Sequence, residues 1–368
     1  MSQKIAIFTL GCRVNHYESA AIADSARECG FEVVGWDEPA DFGVVNSCAL
    51  TVLAEAKTRQ AIRIFARANP HCAIAVSGCY AQTDPHKIAE LPNVKWVVCN
   101  ALKARAAEII KRYPPAEEPL VLSDSALPAS PEASRGNTPL DDRMNLKIQD
   151  GCDRYCSYCI IPYARGFYRS KSLEDLKLEL YDLSAKGYKE VVLVGIDLSS
   201  YGKDIGCHLV DAVTMACTTE GIERVRLGSL EPLMLTDKNL SILAGLPNFC
   251  PQFHLSLQSG CDATLERMNR KYTTEEYAKS CGYLRKYFRE PAITTDVIVG
   301  FPGETEEEFA VTKQYLEKIH FYEMHIFKYS NRHGTKAAKL SDQINEQIKT
   351  KRSNELLALE KKMPKEFR

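Results

Sequence analysis

The chain has 368 residues, 45% of them hydrophobic and 26% charged, with 47 Lys and Arg against 48 Asp and Glu. That length accommodates two cores, and a net charge of -1 excludes a global basic field, so a nucleic-acid partner would need a local patch. No apolar run approaches the ~18–20 residues of a membrane span, and MSQKIAIFTL lacks the apolar core and cleavage site of a secretory leader, so the expected location is cytoplasmic.

Up to about Tyr113, apolar strand-like segments alternate with helical patterns. IAIFTL precedes a helical pattern that Gly30 stops; FEVVG and DFGVVNS follow, then a helix over Val52–Ala68 that Asn69 and Pro70 terminate. CAIAVSG, a short helix near Pro85–Glu90, VKWVV and the helix KARAAEIIKRY complete a first unit, 1–113. Strands apolar throughout and alternating with helices predict a parallel sheet covered on both faces, an α/β sandwich.

Residues 114–142, rich in Pro, Ser and Ala, read as a linker in which PLVLS is a candidate edge strand. In 143–340 the strand-then-helix pattern returns, with candidate strands MNLKIQ, EVVLVGI, RVRLGS, FHLSLQ, ITTDVIVG and EMHIFKYS. Two of the intervening helices open on a capping Ser or Thr followed by Glu, in SLEDLKLELYDLSAKG and TEEEFAVTKQYLEKI. Six such steps predict a partial (β/α)6 barrel whose chemistry sits at the carboxyl ends of its strands. The polar stretch 341–368 reads as a helical tail.

Fourteen cysteines are many for a chain with no leader, and a secreted disulfide scaffold is excluded on length. Cys152, Cys156 and Cys159 form C-x3-C-x2-C just after the first strand of the second unit. A closed zinc site takes four ligands, commonly as two C-x2-C pairs, and no second pair is present. An iron–sulfur cube instead accepts three thiolates and leaves one iron open. Cys12, Cys48 and Cys79 each follow a predicted strand, in TLGC, VVNSC and VSGC. Parallel strands deliver their carboxyl ends to one edge, so these three can converge on a second cluster. The plainer alternative is three small core residues. Cys29, Cys72, Cys99, Cys207, Cys217, Cys250, Cys261 and Cys281 share no spacing and read as buried side chains.

TLGCRVNHYES, VVNSCALT and VSGCYAQ resemble the signature segments of the N-terminal domain of the radical S-adenosylmethionine (SAM) methylthiotransferases. IQDGCDRYCSYCIIPYARG resembles their radical SAM motif, and VGIDLSSYGKDIG, RLGSLEP, HLSLQSGCDATLERMNRKYT and TTDVIVGFPGETEEEF resemble the rest of their barrel. LGCRVNHYES, IQDGC and CIIPYARG are most similar to the branch acting on N6-threonylcarbamoyladenosine at position 37 of tRNA. The branches acting on isopentenyladenosine or on a ribosomal-protein aspartate have other residues where Arg13 and Val14 stand.

The resemblance implies two 4Fe-4S clusters and SAM. Cys152, Cys156 and Cys159 would hold the cluster that cleaves SAM, and Cys12, Cys48 and Cys79 an auxiliary cluster presenting sulfur. It further implies that Tyr158 lies near the SAM adenine, and that Ser229, Glu231, Gln258 and Asp296 sit at strand ends facing SAM. Arg165 and Arg169 would contact the SAM carboxylate or a phosphate. Arg267, Arg270, Lys271, Lys328, Arg332 and Lys336 would contribute to a tRNA-facing patch. The implied partners are the tRNA anticodon loop and an electron donor such as a flavodoxin or ferredoxin, with no membrane and no DNA. The family's small RNA-binding β-barrel, the TRAM domain, is expected to be missing, because nothing before Arg368 resembles it. A metal-binding or redox-sensing protein is the non-enzymatic alternative.

Overall fold

The computed structural model describes residues 2–123 and 143–363; most of the expected linker and the last five residues of the tail lie outside them. The first unit runs β1 (Lys4–Thr9), α1 (Arg13–Glu28), β2 (Glu32–Val34), β3 (Phe42–Ser47), α2 (Val52–Ala68), β4 (Ala73–Gly78), α3 (Cys79–Thr83), α4 (Pro85–Ala89), β5 (Val94–Val98), α5 (Ala106–Arg112) and β6 (Leu120–Leu122). All six strands are parallel, in the order β2-β1-β3-β4-β5-β6, so PLVLS does form the edge.

Consecutive strand residues alternate sides, and here both sides are apolar. Ala6, Val45 and Ile74 pack with Phe65 of α2 on one face. Ile5, Val44 and Ala75 pack with Ile22 of α1 and Ile109 of α5 on the other. Thr51 starts α2 by accepting a hydrogen bond from the Ala54 amide.

The second unit runs β7 (Arg143–Lys147), β8 (Gln149–Asp150), α6 (Ile161–Arg165), β9 (Arg169–Ser170), α7 (Leu173–Ala185), β10 (Glu190–Val194), α8 (Leu209–Thr218), β11 (Arg224–Leu227), β12 (Ser229–Leu230) and α9 (Asp237–Ala244). It continues through β13 (Gln252–Leu255), α10 (Asp262–Arg267), α11 (Thr274–Tyr287), β14 (Ala292–Val299), α12 (Glu306–Ile319), β15 (Glu323–Lys328) and α13 (Glu346–Lys362). Parallel sheets β11-β10-β7 and β12-β13-β14-β15 meet where Gly228 alone separates β11 from β12, giving a partial barrel of six steps. Ser172 and Thr305 cap α7 and α12, the latter in a reciprocal box with Glu308. Among the described residues no helix is long and apolar enough to cross a membrane.

Helix α1 docks the first unit onto the barrel. Val14 packs on Val192 and Val194, and the Tyr17 hydroxyl donates to Glu179 Oε1 at 2.6 Å. At the far side Arg332 is a buried clamp, 2.5 Å from Glu55 Oε1 and donating to the Ala49 carbonyl (2.8 Å) and the Thr83 hydroxyl (3.1 Å).

Gly78 ends β4 with φ +93°, and a Cβ there would lie 2.3 Å from the Ser47 carbonyl oxygen and 2.5 Å from the Ser47 nitrogen. Gly78→Ala is therefore expected to destabilise the first unit by more than about 1 kcal/mol, read by chemical denaturation.

Two three-cysteine sites at the domain interface

β1, β3 and β4 are neighbours in the sheet, and Cys12, Cys48 and Cys79 stand just beyond their carboxyl ends. The loops touch: a Cβ on Gly11, where φ is +127°, would come within 3.2 Å of the Cys48 Cβ. Cys12 is exposed, Cys48 is half-buried and Cys79 is buried. Burial first, then Cys79, pushes the Cys48 thiol up to about 12.

The second trio lies in the loop between β8 and α6. Gly151 makes the entry possible: φ is +74° and a Cβ would sit 2.0 Å from the Phe167 carbonyl oxygen. The Asn269 side-chain amide donates to the Arg154 and Tyr155 carbonyls (3.3 and 2.9 Å), and the Ser157 backbone amide donates to the Met268 carbonyl (2.9 Å), so the loop is held by the residues just after α10. Burial first, then the Cys156 thiol, pushes Cys159 up to about 12, and burial does the same for Cys152.

Each trio has a buried arginine on one of its sulfurs. Arg165 donates from Nε to Cys79 Sγ at 3.2 Å, and Arg270 from Nη1 to Cys156 Sγ at 3.3 Å. Arg270 is oriented by Glu231 Oε1 (2.7 Å), the Ser256 carbonyl (3.1 Å) and the Tyr272 hydroxyl (3.0 Å). Arg165 lies inside a buried ion network. Lys103, Lys147 and Arg165 meet Glu18 at 2.6, 2.8 and 2.7 Å, while Lys147, Arg165 and Arg169 meet Asp150 at 2.8, 2.9 and 3.2 Å. Four cations thus face two carboxylates across the junction of the units, beside Cys79.

Residues 146–316 match the Radical SAM superfamily, and residues 4–99 match the Uncharacterized protein family UPF0004. The Threonylcarbamoyladenosine tRNA methylthiotransferase MtaB of Bacillus subtilis (strain 168) is 38% identical over 367 residues, spanning 99% of this chain and 81% of that protein. The chain belongs to the radical SAM methylthiotransferase family. The protein of the same description from Aquifex aeolicus (strain VF5) is 39% identical over 99% of this chain and 89% of its own length. A tRNA-2-methylthio-N(6)-dimethylallyladenosine synthase of Thermoanaerobacter sp. (strain X514) is 34% identical over 97% and 78%. In fold, this methylthiotransferase is similar to the radical S-adenosylmethionine methyltransferase TsrM from Kitasatospora setae, with TM-score 0.66 and 15% identity over 89% of this chain and 73% of that one. Radical SAM membership implies a 4Fe-4S cluster and SAM.

The methylthiotransferase places several of the expected contact residues differently from the sequence reading. Arg165 has no donor left for a SAM carboxylate: its five N–H groups go to Cys79 Sγ, both Glu18 oxygens, Asp150 Oδ1 and Asn15 Oδ1. Asp296 is in the middle of β14, not at its end, because the strand pairs with β15 on through Val299. Glu231 is held by Arg270 (2.7 Å) and Arg154 (3.6 Å). Gln258, with φ +72°, joins the sheet through its backbone, donating to the Asp296 carbonyl at 2.9 Å. Tyr158 is half-buried against Met268, Phe301 and Tyr329, and Ser229 opens β12 with its side chain exposed. Of the basic patch, Arg332 is buried, the Arg270 side chain is only 5% exposed and Arg267 is paired with Glu308, which leaves Lys271, Lys328 and Lys336 at the surface. Among the unpatterned cysteines, Cys72, Cys99, Cys217, Cys261 and Cys281 are buried as expected, while Cys29, Cys207 and Cys250 are only partly so.

Proposed function

We propose that this methylthiotransferase acts on tRNA, placing a methylthio group on C2 of N6-threonylcarbamoyladenosine at position 37, and that it holds two 4Fe-4S clusters. In this reading the unit over 1–113 carries one cluster on Cys12, Cys48 and Cys79, and the barrel over 143–340 carries the other on Cys152, Cys156 and Cys159. The observation that supports it most is the matched pair of three-thiol sites at one domain junction, each with a buried guanidinium on a sulfur.

The donor chemistry fits. Soft thiolates select iron–sulfur clusters, and cluster binding takes the protons from thiols whose ionisation burial disfavours. At the first site the fit extends to charge. Lys103, Lys147, Arg165 and Arg169 exceed Glu18 and Asp150 by two, and buried charge without compensation is costly. An anionic cluster on Cys79, already an acceptor for Arg165, supplies the missing negative charge.

Cys152, Cys156 and Cys159 would hold a cluster supplying the electron for SAM cleavage, and Cys12, Cys48 and Cys79 one supplying the sulfur, chemistry that polar side chains cannot provide at an adenine C2–H bond. The chain supplies position and exclusion of water. Tyr158 and its aromatic neighbours Phe301 and Tyr329 form a wall beside the barrel trio, where SAM would lie. Exposed Tyr163 and Phe167 beyond that trio, and Leu50 and Leu53 beyond Cys48, offer apolar surface of the kind on which unstacked bases rest. A small redox protein of the flavodoxin or ferredoxin class would deliver electrons, and the reaction would take place in the cytoplasm, where tRNA is modified.

Anaerobically reconstituted protein is expected to hold about eight irons and as much acid-labile sulfide, in two four-iron clusters. Four irons or fewer per chain would rule out the second cluster. Nucleoside mass spectrometry of tRNA from cells lacking the protein should show threonylcarbamoyladenosine without its methylthio group. Loss of the methylthio group from the dimethylallyl nucleoside instead would reassign the substrate.

A further inference from the structure

The whole chain has a net charge of -1, yet one helix of the first unit presents charge of a single sign. Helix α2 bears Lys57, Arg59, Arg63 and Arg67 against one carboxylate, Glu55. Glu55 is buried and already answered by Arg332 of the second unit and by Arg59 at 3.9 Å. Among the described helices of eight residues or more, every other one exposes at least one Asp or Glu, and α2 exposes none.

Arg59 is engaged, donating to the Tyr80 hydroxyl at 2.7 Å. Lys57, Arg63 and Arg67 are exposed and have no hydrogen-bond or ion-pair partner among the described residues. With 3.6 residues per turn these three fall within an arc of about 120°. The opposite face is spent on the core, where Ile62 and Phe65 pack against the sheet. Leu53 and Ile64 share the exposed arc, and each is more than half exposed.

The position of this face matters as much as its charge. Helix α2 opens three residues after Cys48 and leads about 25 Å away from it. Its start is fastened to the second unit: the Val52 amide donates to the Ser330 hydroxyl at 3.2 Å, and Arg332 donates to the Ala49 carbonyl at 2.8 Å. The segment that makes these contacts also exposes Lys336 and Lys339, whose side chains have no partner among the described residues. Unpaired cations thus line both sides of the Cys48 loop. A surface of one sign is a steering field for a partner of the other, and a nucleic-acid backbone offers one negative charge per nucleotide along its length. An acidic electron-donor protein is the competing occupant, but its target is the barrel trio, whereas α2 leads to Cys48.

We propose that the exposed face of α2, with Lys57, Arg63 and Arg67, holds the sugar–phosphate backbone of the tRNA and leads the anticodon arm to the site of Cys12, Cys48 and Cys79, with Lys336 and Lys339 continuing the track on the second unit. The proposal rests on the tRNA reading above and adds to it the surface that grips the RNA. Contacts of this kind position the RNA without reading its bases, so their loss weakens all RNA sequences alike.

The test uses the full reconstituted chain carrying Lys57→Gln, Arg63→Gln and Arg67→Gln together, with folding checked by thermal melting. A charge-matched control carries Lys177→Gln, Lys279→Gln and Lys351→Gln on α7, α11 and α13. Binding of tRNA is measured by fluorescence anisotropy from about 50 to 200 mM KCl. The α2 variant is expected to lose at least about tenfold in affinity, and its slope of log K against log[salt] should be shallower by about 2. KM for tRNA should rise with kcat at saturation unchanged, while the control stays within twofold of wild type. Wild-type affinity and slope in the α2 variant overturn the surface and leave the proposed function standing. Equal loss in the control overturns it too, since net charge alone would then be at work. Unchanged tRNA binding with slower reduction by a flavodoxin assigns the face to the electron donor instead. Wild-type protein that methylthiolates a protein substrate and no tRNA overturns both the surface and the proposed function.

Discussion

Glu18→Gln is expected to destabilise the protein by about 3–5 kcal/mol, the usual range when one partner of a buried ion pair is removed. Glu18 is fully buried and answers three cations, Lys103, Lys147 and Arg165, that come from both units. The amide keeps the shape but loses the charge, and the guanidinium and ammonium groups cannot withdraw to water. Urea denaturation should show the loss, and Arg165→Lys should not be benign either, because one ammonium cannot replace five directed N–H groups. The pH dependence follows from the same groups. Burial alone would raise the Glu18 carboxyl, but Arg165, Lys103 and Lys147 outweigh it and hold it well below the usual range; Asp150 is likewise held low, burial being outweighed by Lys147 and Arg165. A carboxyl depressed in the folded state contributes stability above its unfolded pKa, about 4, and that contribution is lost as pH falls through the folded value. The difference between wild type and Glu18→Gln should therefore be constant near neutrality and shrink in acid below pH ~4. A difference that stayed flat into strong acid would mean that Glu18 acts by shape and not by charge.

That network also marks the limit of what the chain reveals before it folds. The strands were legible because each is a short apolar run, and the common edge of Cys12, Cys48 and Cys79 because all three follow strands of one parallel sheet. Asp296 was misjudged by the same local logic: TTDVIVG locates a strand but does not say where it ends, which depends on pairing with β15. The arginines were beyond local reading. Arg165 finds Cys79 across 86 positions and Arg270 finds Cys156 across 114, and nothing near either residue distinguishes a buried guanidinium from a solvated one. His254 and His325 are alike in this respect, since only the register of β13, β14 and β15 brings them beside Asp296.

The two thiol sites make separable predictions about the reaction. Cys156→Ala removes one of three thiols from the barrel loop and the acceptor of Arg270, and should abolish both SAM cleavage and methylthio transfer. Cys12→Ala acts on the other trio, at an exposed position of the first unit. It should leave 5′-deoxyadenosine formation measurable while methylthio product falls below detection, at least a thousandfold, because radical generation and sulfur supply then reside on different cysteines. Chromatography of both products from the same anaerobic reaction gives the ratio directly. Cys12→Ala is the gentler structural change, since that thiol caps no backbone group of α1 and makes only a 3.6 Å contact to the Asn15 side chain. A global loss of structure is thus not expected to mimic the uncoupling. Full methylthio product from Cys12→Ala would show that the first trio is not the sulfur source. Equal loss of both products would show that the two sites work as one, joined through Arg165 and the charges around Glu18.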